Sequence, residues 1–408
     1  MPDDLPATQA PAERSPAHVP VLDGVRGLAI LLVLLVHFTP DYLMPNRPLE
    51  WAKKAMFAGW TGVDLFFVLS GFLITGILLR VRDTPRWVRN FYWRRALRIL
   101  PLYLGSLVIV FGILPLIVRP GRDPEFDAMQ TIQGWFWVHA ANVAIYFHSF
   151  ASTASHTTNI SHLWSLAVEE HFYLLWPFLV ARLPERRLLP VLLAIIGVAI
   201  GFRLLALATL VEPTLTSAYV QTPTRMDALA LGALLCVLLR RFPALALRRY
   251  AVVLLPLIGL ICLTDFFLEK GLWPGSKFVR TIGLTLFAIF YASLIVVLLT
   301  DQRRTPLHRL INNGPMRFLG KYSYGIYVIH GLMVPTLHRW FPDETLLDVC
   351  RFKALAIVVC VIVKSVISIA LALLSWRLVE APCLRLKDRF DYTPSRDPVP
   401  LGATGVAT

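Results

Sequence analysis

The sequence predicts an all-α fold: a polytopic transmembrane helical bundle of about ten spans, with both termini cytoplasmic. Three observations carry this. The chain of 408 residues is 56% hydrophobic and only 16% charged, whereas soluble domains carry roughly 25% charged residues. Its apolar runs approach or exceed the roughly 18–20 residues that cross a bilayer. Lys and Arg collect in alternate connections, the asymmetry that sets orientation. That asymmetry also accounts for the net charge of +14, so no nucleic-acid partner is called for.

Residues 1–20 are polar and proline-rich and read as a disordered cytoplasmic tail; a membrane domain over 21–385 follows, then a second tail over 386–408. No short apolar region with a small-residue cleavage site precedes Val21, so the first span reads as an uncleaved signal anchor. Spans are expected at 21–40, 60–80, 96–118, 162–182, 188–210, 226–240, 250–268, 279–300, 317–337 and 354–378. The second connection carries Arg80, Arg82, Arg86, Arg89, Arg94, Arg95 and Arg98, while the odd-numbered connections hold few basic residues. The long outer segment, about 120–161, contains Trp135, Trp137, His139, His148 and His156. Its aromatics suit a membrane interface, and its histidines lack a metal-binding spacing. Cys236, Cys262, Cys350, Cys360 and Cys383 are scattered, without a CxxC pair, and indicate neither zinc nor a disulfide framework.

Ionisable groups inside hydrocarbon are costly, and those that persist usually face a bundle interior. The first span, LDGVRGLAILLVLLVHF, places Arg26 and His37 eleven residues apart. At about 100° and 1.5 Å per residue they share one face, roughly 16 Å apart. The fourth span, HLWSLAVEEHFYLLWP, runs the opposite way and carries Glu169 and Glu170. Counting turns from the outer surface puts His37 and these acids at one depth, which suits an imidazole oriented by a carboxylate to act as a general base. A polar clamp between helices explains the same residues. In the second span Asp64 has a claim to the polar interior, and Ser70-Gly71 suits close helix packing. Arg95 and Arg98, at i and i+3, can grip phosphate oxygens or simply anchor the inner face. Arg225 and Asp227 open the sixth span, where they can pair or line an acceptor side. His330 is a further interior polar residue.

These stretches, together with GVDLFFVLSGFLI, RRALRILPLYL, RMDALALGALL, LGKYSYGIYVIH and WRLVEAP, occur in the order seen in the acyltransferase-3 family. The chain resembles that family of bacterial integral-membrane O-acyltransferases over about residues 21–385. The resemblance maps its Arg-x10-His motif onto Arg26 and His37, its Phe-x3-Ser-Gly motif onto Phe66, Ser70 and Gly71, and its Arg-x2-Arg onto Arg95 and Arg98. It favours Glu169 over Glu170 as the acidic position, and it draws Trp164 and Tyr173, of the same motif, into the substrate site. His171 stands where many relatives carry Gln. The expected form is stand-alone, without an SGNH-type domain.

The resemblance implies an enzyme that moves an acyl group, acetyl in the first instance, from cytoplasmic acyl-CoA to a hydroxyl on a glycan, glycolipid or secondary metabolite. The acceptor sits at the outer side of a bacterial inner (plasma) membrane. Catalysis falls to His37, Glu169 and Arg26. Substrate contacts fall to Arg95, Arg98, Ser70, Phe66, Asp64, Trp164, Tyr173, Arg225, Glu170 and His330. Acyl-CoA is the donor, with no cofactor or metal, and membrane lipid surrounds the protein. The competing class is a proton-coupled transporter or flippase of a glycan or lipid precursor, which also wants His and Glu inside a bundle. No inverted repeat of the kind common in transporters is visible.

Overall fold

The computed structural model describes residues 19–40, 47–149, 151–209, 219–343, 345 and 352–392. The described residues are helical, apart from turns and one isolated antiparallel bridge between Ala154 and Asn159. Long helices occupy the expected spans: α1 Pro20–Phe38, α2 Gly62–Val81, α3 Trp87–Leu107, α4 Leu163–Arg182, α5 Glu185–Thr209, α6 Thr222–Arg241, α7 Ala244–Leu268, α8 Leu284–Leu299, α9 Gly314–Trp340 and α10 Lys353–Ser375. Among the described residues eight helical stretches are long and apolar enough to cross a membrane. The two long helices outside that set are α4 and α9, which carry the glutamates and His330. Their polarity is intelligible only if other helices shield them.

Shielding is what the packing provides. The stretch ending in α2 has 78% of its apolar window buried and α6 has 67%, against 17% for α5 and 11% for α7. The last two display large apolar side chains such as Leu193, Val198, Val253 and Leu260 on surfaces no other element covers. Such a surface is stable only with lipid as its solvent, and the protein is a multi-pass membrane protein.

Two close helix crossings set the frame. At α1–α9, a Cβ on Gly27 would lie 1.9 Å from the Met316 carbonyl oxygen, and one on Gly320 would lie 1.8 Å from that of Asp23. At α2–α6, Gly71 abuts the Leu229 carbonyl and Gly232 abuts that of Val68, each at 1.9 Å for a built Cβ. Small residues allow backbones to meet where no hydrophobic force drives association. Gly71 therefore has the packing role that its sequence context suggests.

At one end of the bundle, the connection after α3 folds into short helices, Pro124–Thr131, Gln133–Trp137 and Ala141–His148. Asp123 ties its start to its end, accepting from the Phe126 amide at 3.0 Å and from the Thr157 amide and hydroxyl at 2.9 and 2.7 Å. Burial alone would raise the Asp123 carboxyl; these hydrogen bonds outweigh it and hold the group below its ordinary value. At the other end, Leu386–Phe390 forms a short 3-10 turn against α3, where Arg94 pairs with Asp391 at 2.6 Å and Trp93 stacks on Phe390. The disordered tail expected from residue 386 is corrected to that extent. The remainder of that tail, residues 1–18 and Cys350 lie outside the described residues.

Candidate active site

Helices α1, α2, α3, α4 and α9 enclose a cavity of about 100 Å³. The second turn of α1 brings Arg26, and α3 brings Arg95 and Arg98 from one face. The middle of α2 contributes Phe66 and Ser70, and α4 contributes Glu169 and Tyr173. Seven of the residues expected from sequence thus meet in one space.

The cavity is electrically lopsided. Arg26 bonds to Asp23 at 3.1 Å, and the Arg95 guanidinium lies over the Tyr173 ring at 5.0 Å. Neither Arg95 nor Arg98 has a carboxylate or hydrogen-bond partner among the described residues. Glu169 is the acid in the lining, and its Oε1 accepts from the Ser70 hydroxyl at 2.6 Å. Within the lining, guanidiniums without a contact ion-pair partner outnumber the one carboxylate, which leaves room for an anion, and phosphate oxygens match their fork of donors.

His37 is elsewhere. Among the described residues no hydrogen bond or ion pair joins it to Glu169, which corrects the imidazole–carboxylate couple expected from turn counting. His37 Nδ1–H donates to the Val33 carbonyl at 2.8 Å. A carbonyl only accepts, so the proton resides on Nδ1 and Nε2 keeps the lone pair. The orienting group is thus the backbone of α1. The residue of α4 level with His37 is His162, and Glu169 lies seven residues further along, roughly 10 Å deeper.

His37 belongs to a cluster of imidazoles. Its ring centroid is 4.9 Å from that of His330, which is 5.4 Å from both His162 and Tyr327. His162 Nε2–H donates to Val328 O at 3.1 Å, and His330 Nδ1–H donates to Ile326 O at 3.2 Å. Gly331 makes this possible: a Cβ there would lie 2.1 Å from His162 Nδ1. Tyr327 joins the two regions, lining the cavity and bonding to Ser165 at 2.5 Å. His330 is fully buried in this cluster and does not line the cavity.

Besides His330, four residues expected at the substrate site lie outside this lining. Asp64 pairs with Arg225 at 2.9 Å, with both side chains fully buried. The guanidinium of Arg225 sits within 5.7 Å of the rings of Phe67, Trp164 and Tyr219. Asp64, Arg225 and Trp164 are therefore one desolvated clamp between α2, α4 and α6, outside the cavity. Asp227 pairs with Arg203 at 2.8 Å rather than with Arg225. Glu170, about 100° round the helix from Glu169, also lies outside the lining. His171 Nδ1 meets the Thr222 hydroxyl at 2.7 Å and ties α4 to the start of α6.

Sequence reading missed Ser165, Ser323, Tyr324 and Tyr327 in the lining. The YSYGIYVIHG stretch holds the signal, because Tyr324, Tyr327 and His330 recur every three residues and share a face of α9. It also missed Glu380, which a π-helical turn over Trp376–Glu380 brings into the interior beside Gly325. Among the described residues no group of three or more His, Cys, Asp or Glu is placed to hold a metal ion.

A helical membrane bundle with a guanidinium-rich interior cavity and a half-buried, backbone-oriented imidazole defines the class: a multi-pass integral-membrane protein with a polar, cation-rich interior. A family profile described as an acyltransferase domain matches residues 19–374, and the chain belongs to this acyltransferase-3 family. It is similar to the O-acetyltransferase OatA of Staphylococcus aureus strains NCTC 8325 and MRSA252, 27% identical over 391 residues. A further protein of strain COL with an O-acetyltransferase name is 26% identical over 384 residues. Each alignment covers 90% of this chain and 57% of the relative, so the chain spans little more than half the length of the relatives it matches. No solved structure matches.

Proposed function

We propose that the protein transfers an acyl group, acetyl in the first instance, from acyl-CoA to a hydroxyl of a glycan-type acceptor. The observation that carries the reading is the pair of guanidiniums without an ion-pair partner, Arg95 and Arg98, in a cavity whose lining shares Tyr327 with the His37 cluster. The donor arrives at the arginine-rich face, taken as the cytoplasmic side of a bacterial inner membrane with both termini on it. Arg26, Arg95 and Arg98 hold the phosphates of CoA, and the pantetheine arm extends along α1. The roughly 16 Å between Arg26 and His37 matches the reach of that arm.

His37 Nε2 takes the proton of the acceptor hydroxyl as the oxygen attacks the thioester carbon. The tetrahedral intermediate collapses with cleavage of the C–S bond, and the imidazolium returns the proton to the departing thiolate. The products are an ester and CoA thiol. Ser70 and Glu169 serve the donor cavity, the carboxylate offsetting part of the mutual repulsion of the arginines. Positioning both reactants supplies much of the rate, because an encounter becomes intramolecular.

Purified protein in lipid nanodiscs, given radiolabelled acetyl-CoA and candidate acceptors, tests the reading. Wild type should form labelled ester, and His37→Ala should lose about 10²–10⁴-fold in kcat, the usual worth of a general base, while still binding CoA. Undiminished turnover in that variant refutes His37 as the base. Acceptor flux in the absence of any acyl donor would instead favour the transporter class.

A further inference from the structure

The end of the bundle beyond His37 holds a second cavity, of about 570 Å³, lined by Arg122, Ser155, His156, Pro335, His338 and Arg339. From this cavity and the donor-side reading above, on which the inference rests, we propose that it is the acceptor subsite. It recognises an anionic group, carboxylate or phosphate, on the hydroxyl-bearing substrate.

The charge accounting points this way. Among the described residues neither the Arg122 nor the Arg339 guanidinium has an ion-pair or hydrogen-bond partner, and no carboxylate lines the cavity. Of the described acids nearby, Glu125 is exposed and pairs with neither arginine, and the others are already engaged. Asp123 is held by Phe126 and Thr157, Asp127 accepts from the Gly121 amide at 2.7 Å, and Asp343 pairs with Lys364 at 2.7 Å. The positive-inside bias explains arginines at the opposite end of α1, but it works against them here. Two that remain at this end converge on one concavity, and paired guanidiniums suit carboxylate or phosphate oxygens.

The cavity is also wired to the reacting imidazole. His338, which lines it, donates from Nε2 to the backbone carbonyl of His37 at 3.2 Å. Its Nδ1 accepts from the Lys364 ammonium at 3.3 Å. Lys364 is fully buried in the middle of α10, where an ammonium needs strong compensation, and Asp343 supplies it. The Lys364–Asp343 pair thus fixes the tautomer of His338, and His338 fixes the end of α1 that presents His37. An acceptor anchored on Arg122 and Arg339 would have its hydroxyls on the His37 side of that contact.

Calorimetric titration of the full chain in lipid nanodiscs tests this, with methyl glucuronide, glucose 1-phosphate and neutral methyl glucoside as probes. At least one anionic sugar should bind about tenfold or more tightly than the neutral one. Which of the two does so identifies the anion as carboxylate or phosphate. Arg122→Gln with Arg339→Gln should erase the preference, and the corresponding Lys variant should restore most of it. CoA affinity, measured on the same samples, should be unchanged in both variants. Equal binding of all three sugars, binding of none, or an anion preference that survives in the Gln variant overturns the proposal. Failure of wild type to bind CoA counts separately, against the acyl-transfer reading.

Discussion

Gly331→Ala sets two physical effects against each other, and the structure decides the sign. Gly331 lies inside α9, where replacing Gly by Ala in a solvent-exposed helix gains about 1 kcal/mol of helix propensity. The new Cβ, however, would sit 2.1 Å from His162 Nδ1, 2.3 Å from Cε1 and 2.5 Å from Cγ, against the plane of the ring. Reaching ordinary contact near 3.4 Å requires a shift of more than 1 Å. The ring cannot make it freely: Nε2–H is bonded to Val328 O at 3.1 Å, and Tyr327 and His330 flank it. Overpacking costs about 1–3 kcal/mol and loss of a buried hydrogen bond about 1–3 more. After the helix gain, a net loss of roughly 1–5 kcal/mol remains. Thermal unfolding in lipid nanodiscs should show a lowered Tm for Gly331→Ala. The combination with His162→Ala should be strongly non-additive, because removing the ring removes the clash. An unchanged or raised Tm, or simple additivity, would mean that His162 does not lie against this glycine.

Replacing Arg95 and Arg98 by Ala should raise KM for acyl-CoA at least tenfold with a smaller effect on kcat, since each charged hydrogen bond to phosphate is worth about 1.5–3 kcal/mol; steady-state kinetics at varied donor checks this, and an unchanged KM returns both residues to a purely topological role. Breaking the buried Asp64–Arg225 pair by Asp64→Asn should cost about 3–5 kcal/mol of stability, while Asp64→Leu with Arg225→Met recovers much of it. Acceptor KM in that double variant should stay near wild type, whereas a large rise would restore these residues to the substrate site. Asp123 has a depressed carboxyl pKa, so its contribution is present above the ordinary carboxylate value and is lost as pH falls through the lower, folded value. Hydrogen-exchange protection factors over 124–149 and 151–161 should therefore fall below about pH 4, and Asp123→Asn should show the lower protection already at pH 7. Protection insensitive to both changes would show that Asp123 does not hold the segment.

Spans were legible because each depends on a local property, apolar length, that packing does not alter. Residues 226–240 illustrate this: the run is short, yet α6 extends it at its start by a turn that opens on Thr222-Pro223, as an N1/N2 proline favours. The interior cavity was largely legible as well, since Arg26, Ser70, Arg95, Glu169 and Tyr173 come from motifs whose order is distinctive. What failed was pairing across helices. Asp64, Arg225 and Asp227 were recognised as polar intruders, but which cation met which anion depends on the glycine-mediated crossing of α2 and α6, and no spacing along one helix encodes it.

The misplacement of Glu169 beside His37 has the same origin and carries the mechanistic lesson. Depth along a helix is counted from its ends, and an error of two turns moves a side chain by roughly 10 Å, the difference between touching an imidazole and lining a separate cavity. Turn counting placed the start of α4 too far out. His162, at the helix mouth, is already level with His37 and His330, because Gly331 lets α9 approach it. Glu169 then falls at the level of Ser70 and the arginines. His37 needs no carboxylate to choose its tautomer, since the Val33 carbonyl does so from within α1. A neutral backbone acceptor orients the ring without placing a negative charge beside it. The one acid in the cavity lining is left at the arginine-rich end, where cations predominate.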